Sequence, residues 1–547
     1  MPFSFTPTRG PLASPFARTD RVRSIPAVTW GVLLAVAISL TILWMPTPAG
    51  MPLLAQRAAS ISTLMALLWI VVPDQIPVVS LFPIALYPLF GILTAKETCV
   101  AYGTSNVFLY LGGFILALAI ERQNLHKRIA LLIISRIGSR PRQLVFGFLL
   151  ATAFLSMWIS NTATTLLMLP IALALLDTLT DSLAQREGIS HSEADTTLRP
   201  VSVAMLLGVA YAASCGGFAT MVGTPTNPVL RGFWEKKYVP LGLPPISSAH
   251  WMLVCVPLSL LMLMAVGFVM TRRIPALPSI EPIGRTFFRE RLAELGPMKK
   301  GERRVFIVFL ITAALWILSQ TFELGSRVIW SWPQMLEQLC MWCGMDSTHM
   351  PRGLDESTVA IAMAAVLFIL PGDRTAAGAS TRLAEWNDVE KKIPWGILLL
   401  FGGGFAMASA FESTGLSKWL GESFAHRMEN VPLWVLVTGT CAMVTALTEF
   451  TSNVACITTL LPVLAGTADQ LGVDPRLILI PATISASCGF MMPAGTPPNA
   501  IVMGTGRVPI RAMMGYGFFL NLIGVIFVSL FAFWVLIPML GIQIASR

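Results

Sequence analysis

Charged residues are scarce in this chain. Asp, Glu, Lys and Arg make up 12% of its 547 residues, whereas 55% are hydrophobic and the mean hydropathy is +0.71. Ordinary soluble domains contain about 25% charged residues. About 20 apolar residues cross a bilayer as a helix, and such runs recur from Val28 to Trp534 with only short loops between them. We therefore expect a cytoplasmic N-terminal tail over 1–26 and one membrane transporter domain over 27–547.

Residues that serve metal and covalent catalysis are also few. The chain has five histidines, none in an HExxH motif, so the sequence gives no support for zinc-protease chemistry. Most of its eight cysteines lie within apolar runs, where a thiol packs as a small hydrophobe. Cys340 and Cys343 form a CxxC pair that could be a disulfide or two free thiols, and no second pair supports a metal site. We expect no enzyme activity.

The net charge of +9 does not indicate nucleic-acid binding, because the basic residues cluster in particular loops. The loops predicted inside the cell include six basic residues over 122–142 and nine over 272–304, whereas the loop 321–356 has only Arg327 and Arg352. By the positive-inside rule, this asymmetry favours an inner- or plasma-membrane protein with the N-terminus inside and the C-terminus outside.

Two apolar stretches with polar centres do not fit a simple crossing. Residues 143–176 contain Ser160-Asn161-Thr162, and residues 431–468 contain Thr451-Ser452-Asn453. Backbone that is not helical survives at membrane depth only where protein or water satisfies it. We interpret both stretches as re-entrant hairpins, with a spanning helix that has a polar face as the alternative. Eleven spans are expected near residues 28–45, 53–72, 77–95, 105–121, 198–222, 251–270, 305–320, 357–371, 393–412, 475–494 and 515–540.

The two halves of the chain carry matching motifs in the same order. Gly112-Gly113-Phe114 recurs as Gly403-Gly404-Phe405, each ahead of a hairpin, and each hairpin precedes a Gly-Thr-Pro motif. Because the topology places the first hairpin inside and the second outside, we expect an inverted repeat, with repeat 1 over about 105–272 and repeat 2 over about 393–540.

The Gly-Thr-Pro motifs are expected to interrupt their helices. Proline and glycine break the helical hydrogen-bond ladder, so Gly223–Asn227 and Gly495–Asn499 should be unwound. Freed carbonyl oxygens can bind sodium ions, and exposed helix N-termini favour anionic groups. The alternative is that these polar residues only hydrogen-bond to one another between packed helices.

This order of Ser-Asn hairpins and broken helices resembles the divalent anion/sodium symporter family over roughly residues 28–540. The resemblance implies an all-α integral membrane protein with about 11 transmembrane helices and two re-entrant hairpins, which works as a dimeric elevator-type transporter. It implies co-transported sodium ions and no organic cofactor. The expected partners are Na⁺, a dicarboxylate or related divalent anion, membrane lipid and a second copy of the chain, with no nucleic acid.

The resemblance also assigns residues to sites. A first sodium site would use Ser156, Ser160, Asn161 and carbonyls near Gly223. A second would use Thr448, Thr451, Asn453 and carbonyls near Gly495. The expected substrate-binding residues are Ser160, Asn161, Thr162, Thr224, Ser452, Asn453, Thr496 and Pro497. No catalytic residue is implied.

Two positions leave the specificity open. Val454 stands where the second motif can carry threonine, and Glu449 is an acid that either acts in transport or only binds nearby backbone N–H groups. We expect sodium symport of succinate, malate or fumarate, with citrate as a further candidate. The alternatives are a sulfate or other inorganic divalent anion symporter, a sodium-independent dicarboxylate exchanger, a membrane-embedded enzyme and an ion channel.

Overall fold

The computed structural model describes residues 25–138, 140–272, 274, 281–324, 327–343, 354–374, 380–428 and 431–542, so most of the predicted N-terminal tail lies outside the described residues. In these ranges the chain is mainly α-helical. Eight of the described helices are long and apolar enough to cross a membrane, and five other apolar helices are shorter. The eight include the second arms of both predicted hairpins, Asn161–Glu187 and Asn453–Leu471.

The expected single span over 77–95 is wrong. Pro77, Pro83 and Pro88 each lack a backbone N–H donor, so this stretch forms short helices instead. The elements of this N-terminal segment are α1 (Ile25–Trp44), α2 (Leu53–Val71), a 3-10 turn (Pro73–Gln75), α3 (Ile76–Val79), α4 (Phe82–Leu89), α5 (Ala95–Val100) and a second 3-10 turn (Ala101–Gly103).

Seven helices follow in the first half. They are α6 (Ser105–Arg122), α7 (Leu125–Ile137), α8 (Pro141–Ser156), α9 (Asn161–Glu187), α10 (His191–Gly217), α11 (Thr226–Lys237) and α12 (Ser248–Thr271). Helix α10 begins before the predicted residue 198, because Ser190 and Glu193 form a capping box at its start.

The middle of the chain contains two short antiparallel strand pairs that the all-α prediction missed. Its elements are α13 (Glu281–Leu295), α14 (Lys300–Ile317), β1 (Phe322–Leu324), β2 (Arg327–Ile329), α15 (Trp332–Trp342), α16 (Glu356–Ile369), β3 (Pro371–Arg374), β4 (Ser380–Arg382) and α17 (Trp386–Lys392). Phe322 pairs with Ile329 in the first pair. Cys340 is buried in α15 and Cys343 is exposed just after it, and both are free thiols.

The second half repeats the helix order of the first. Its elements are α18 (Trp395–Ser413), α19 (Leu416–Met428), α20 (Leu433–Thr448), α21 (Asn453–Leu471), α22 (Arg476–Ala486), α23 (Pro497–Met503), α24 (Ile510–Phe531), a π-helical turn (Ala532–Leu536) and α25 (Ile537–Leu540). Helices α7 and α19 both have 13 residues, and α8 and α20 both have 16.

The core lies around α10 and α22. Every described side chain from Val201 to Met221 is buried, and so is every one from Leu477 to Phe490. Helix α10 packs against α8, α9 and α12, while α22 packs against α20, α21 and α24. Each half therefore surrounds one broken helix with a hairpin and a following apolar helix.

Candidate functional site

The tip of the first hairpin is a four-residue loop between α8 and α9. Ser160 is the N-cap of α9, and its Oγ accepts a hydrogen bond from the backbone N–H of Ala163 at 3.4 Å. A serine at this position satisfies an N–H that has no partner within the helix. Thr162 is half-buried in the first turn of α9. The predicted tip residues therefore form the N-terminus of a 27-residue helix.

The first broken helix opens between α10 and α11. Asn227 donates from Nδ2 to the carbonyl of Thr220 at 2.6 Å. The Thr220 hydroxyl donates to the Met157 carbonyl and accepts from the backbone N–H of Gly223 at 3.1 Å. Thr224, also expected at the site, is buried in the same break. The sequence analysis missed Thr220, which ties the break to the hairpin tip.

Four oxygen atoms lie close together where this tip meets this break. Ser156 Oγ lies 2.7 Å from both Asn161 Oδ1 and the Ala213 carbonyl oxygen. A Cβ on Gly217 would lie 2.3 Å from Asn161 Oδ1, and a Cβ on Gly223 would lie 2.7 Å from the Ser156 carbonyl oxygen. Because a hydroxyl has one proton, it cannot donate to both acceptors at once. The cluster is rich in oxygen, poor in protons and suited to a hard cation.

The second hairpin tip has the same arrangement. Thr448 Oγ1 lies 2.7 Å from Asn453 Oδ1 and 2.9 Å from the Ala486 carbonyl oxygen. Ser452 is the N-cap of α21. The Thr451 hydroxyl, however, donates to the Leu447 carbonyl one turn back, at 3.1 Å. The structure does not bring the Thr451 hydroxyl into this cluster.

The second broken helix opens between α22 and α23. Thr496 is the N-cap of α23, and its hydroxyl accepts from the backbone N–H of Asn499 at 3.4 Å. Asn499 donates from Nδ2 to the carbonyls of Gly489 at 3.2 Å and Met492 at 3.0 Å. This asparagine holds the second break as Asn227 holds the first. Pro497 is exposed at the start of α23.

Glu449 is fully buried directly after Thr448. Its carboxylate accepts from the backbone N–H groups of Met491 at 2.9 Å and Met492 at 2.7 Å, and from Asn521 Nδ2 at 2.5 Å. A Cβ on Gly495 would lie 3.2 Å from its Oε2. Glu449 thus fixes the second break beside the second oxygen cluster. Asn521 was missed, although a lone asparagine inside an apolar helix was a signal.

The two halves meet at their breaks. Thr226 Oγ1 lies 3.0 Å from Ser487 Oγ. Helix α11 packs against α21 and α22, and α23 packs against α9 and α10. Each break therefore lies between its own hairpin and the hairpin of the other half.

A cavity of about 700 Å³ adjoins the first hairpin. Ile159, Ala163 and Leu167 of the hairpin line it, together with Lys127 of α7 and Arg291 of α13. Its mixed lining reaches the residues next to the hairpin tip.

Comparison with known families gives one match over almost the whole chain. Residues 27–540 match the model of the sodium:sulfate symporter transmembrane region. The sodium-dependent dicarboxylate transporter SdcS of Staphylococcus aureus strain USA300 is 35% identical over 519 residues, which cover 94% of this chain and 92% of that protein. SdcS of strain MSSA476 matches with the same identity and coverage.

A solved structure shows a related fold. It is Neisseria gonorrhoeae MtrF, described as illuminating a class of antimetabolite efflux pumps. The TM-score is 0.53 at 13% identity, with 93% of this chain and 94% of that chain covered. The likeness shows a related helical fold and carries no information on substrate.

Proposed function

Because the chain belongs to the sodium:sulfate symporter family, whose members are membrane transporters and not enzymes, we propose that it imports dicarboxylates by sodium-coupled symport. The observation that carries this proposal is the pair of matching oxygen clusters. Each joins a tip asparagine, a hydroxyl and a carbonyl of a broken helix. The name of the SdcS relative supports sodium and dicarboxylate as the transported pair.

The first cluster is the proposed sodium site 1. Ser156, Asn161 and carbonyls of the first break supply neutral oxygens, and Ser160 caps the adjoining helix. Unwound carbonyls of broken helices coordinate sodium in other transporters. We add the Ala213 carbonyl to the expected ligands.

The second cluster is the proposed sodium site 2, built from Thr448, Asn453, Gly495 and the Ala486 carbonyl. The Thr451 hydroxyl is left out of it, since it is bonded within its own turn. The Glu449 carboxylate is a fixed negative charge beside this cluster, and the corresponding residue in the first half is Met157. Site 2 should therefore attract a cation more strongly than site 1.

The substrate carboxylates are proposed to bind where the two halves meet. Helices α9, α11 and α21 begin there, and each N-terminus is equivalent to roughly half a positive charge. The proposed contacts are Ser160, Asn161, Thr162, Thr224, Ser452, Asn453, Thr496 and Pro497. An anion is held there by backbone dipoles without a buried arginine at the tips.

The mechanism we propose is an elevator. The two hairpins and the two broken helices would move as one body, with inverted repeats over about 105–272 and 393–540 in a homodimer, N-terminus inside and C-terminus outside. Two sodium ions would balance a dianion, whereas each additional ion would add about 2.3 kcal/mol per 100 mV of membrane potential.

Uptake into proteoliposomes tests the proposal. Labelled succinate should accumulate only with an inward sodium gradient, and unlabelled malate or fumarate should compete. Citrate is tested in the same series. If sulfate competes better than unlabelled succinate, the proposed substrate is wrong and sulfate takes its place. Exchange of succinate in the absence of sodium would refute sodium-coupled symport.

A further inference from the structure

A second polar network lies outside the tips and breaks, one turn along α11 from Asn227. Arg231 and Glu356 are 6% and 2% exposed. Arg231 Nη1 donates to Glu356 Oε2 at 2.5 Å, and Arg231 Nε donates to Glu235 Oε1 at 2.8 Å. The planar guanidinium of this buried arginine thus donates hydrogen bonds to two different carboxylates.

Glu356 is held from several directions. Its carboxylate also accepts from the backbone N–H of Ser248 at 3.2 Å, from the Ser248 hydroxyl, and from the Ser319 hydroxyl at 2.9 Å. Asn106 donates to the second oxygen of Glu235 at 2.6 Å. The network therefore joins residues from α6, α11, α12 and α16 and from the turn that follows α14.

These residues belong to two groups of helices. Arg231, Glu235 and Ser248 lie on α11 and α12, which continue the first broken helix. Asn106, Ser319 and Glu356 lie on or just after α6, α14 and α16, which pack against one another. Glu356 on α16 therefore bonds to α11 and α12 through Arg231 and Ser248. It bonds to the end of α14 through Ser319.

We propose that the Arg231–Glu356 network is a latch that holds the substrate-carrying helices against α6, α14 and α16 in this conformation. The inference rests on the proposed elevator mechanism, in which those two groups slide past each other. Separating the groups leaves the buried Glu356 carboxylate without its counter-charge, although Arg231 keeps Glu235 on its own helix, and a buried charge without a partner is costly. The latch therefore favours one end of the movement, and it must open in each transport cycle.

Reversible cross-linking tests whether the network spans a moving interface. In a Cys99→Ser, Cys343→Ser background, Arg231→Cys and Glu356→Cys replace the pair together, which avoids leaving either of these two buried charges alone. Glu235 loses its arginine but is only half-buried and keeps its bond from Asn106. A short bifunctional thiol reagent with a reducible linker then joins the two helices. Sodium-driven succinate uptake should fall at least about tenfold and return after reduction. Each single-cysteine variant, treated identically, is the control.

A second measurement follows the balance between conformations without relying on transport. Leu167→Cys places a reporter in the 700 Å³ cavity. With Glu356→Gln added, the rate of its labelling by an impermeant thiol reagent should change by about threefold or more, because removing the latch shifts the populations. The matched control is Asp474→Asn, which breaks an arginine pair within a single turn.

The outcomes separate the two ideas. If wild-type protein shows sodium-driven uptake but the cross-linked protein transports equally well, the latch is wrong and the proposed function stands. Labelling that Glu356→Gln leaves unchanged likewise overturns the latch. If wild-type protein shows no sodium-driven uptake, the proposed function fails and the latch falls with it.

Discussion

The hydroxyls of Ser156 and Thr448 occupy corresponding places, each five residues before the tip asparagine of its hairpin. Each lies between that asparagine's amide oxygen and a carbonyl of a broken helix. The asparagines and hydroxyls could be predicted from the motifs. The Ala213 and Ala486 carbonyls could not, because a backbone oxygen leaves no mark in the sequence and only tertiary packing brings it to the tip.

Asn161→Ala and Asn453→Ala should each raise the sodium concentration for half-maximal uptake. Losing one oxygen ligand to a charged group costs on the order of 1–3 kcal/mol, which corresponds to about fivefold to 150-fold. Sodium titration of succinate uptake gives the value. Thr180→Val is the control, since its hydroxyl bonds only to Leu176 of the same arm. Sodium dependence that matches wild type in both variants would exclude these ligands.

Glu449→Gln should destabilise the second break and weaken sodium binding. A carboxylate accepts from the N–H groups of both Met491 and Met492, whereas an amide has one acceptor oxygen. One buried N–H is then left unpaired, at about 1–3 kcal/mol. Thermal unfolding in detergent, with and without sodium, measures the effect. The exposed Glu422→Gln is the control, and equal unfolding temperatures for the two variants would contradict this role.

Thr162 and Val454 mark the predicted difference between the two sides of the substrate site. Val454→Thr adds a hydroxyl at nearly constant volume, and Thr162→Val removes one. A neutral hydrogen bond contributes about 0.5–1.5 kcal/mol of binding free energy. Each change should therefore alter the ratio of the succinate and sulfate inhibition constants by about two- to tenfold. Val454 is buried and Thr162 is half-buried. If both variants keep the wild-type ratio of inhibition constants, these side chains face only protein and not the substrate.

At the scale of elements, the sequence was informative wherever hydrophobicity or proline decides the outcome. Both Gly-Thr-Pro motifs lie at breaks, but the breaks cover 218–225 and 487–496 instead of the expected Gly223–Asn227 and Gly495–Asn499. Thr226 and Asn227 already belong to α11, and Pro497–Asn499 form the first turn of α23. The short helices α7, α13 and α19 were missed, because such segments carry arginine and lysine and resemble loops in a search for long apolar runs. The second arm of the first hairpin was predicted to end at 176 but continues to Glu187, since its last turns are polar.

Close approach of backbone at the first break gives a prediction for glycine. A Cβ on Gly223 would lie 2.4 Å from the Gly217 carbonyl oxygen and 2.7 Å from that of Ser156. Gly223→Ala should therefore separate the tip from the break and reduce sodium-driven uptake by about tenfold or more. Gly439→Ala is the matched control in α20, where a Cβ meets nothing within 4 Å. Wild-type uptake by properly folded Gly223→Ala protein would refute the close contact.

For the whole molecule, the main feature is reciprocal packing between the halves. Lys237 at the end of α11 pairs with Asp469 of the second hairpin at 2.8 Å. Arg507, just after α23, pairs with Asp177 of the first hairpin at 2.5 Å. Both aspartates stand sixteen residues after their tip asparagine. Such long-range pairing could not be predicted from sequence, because no local pattern around a charged residue indicates which distant residue it will pair with.

Reciprocal packing predicts that neither half is functional alone. Fragments 1–343 and 354–547, expressed together, should restore sodium-driven succinate uptake, because each supplies the surface that buries the other's hairpin. Either fragment by itself should be degraded or aggregate, since its hairpin would lack the helix that the other half packs against it. Co-purification through a tag on one fragment, followed by uptake, checks both statements. A stable, active single fragment would contradict the reciprocal arrangement.

Because α23 packs against α9, the first hairpin cannot complete its packing until α23 has been synthesised. Roughly 300 residues separate these helices, and translation at about 5–20 residues per second makes the nascent chain wait tens of seconds. Throughout that interval the first tip, with its serine and asparagine, has been made but its partner has not. The insertion machinery must therefore shelter a polar loop from lipid until about the last tenth of the protein emerges, so a defect near the C-terminus leaves the earliest hairpin exposed to quality control.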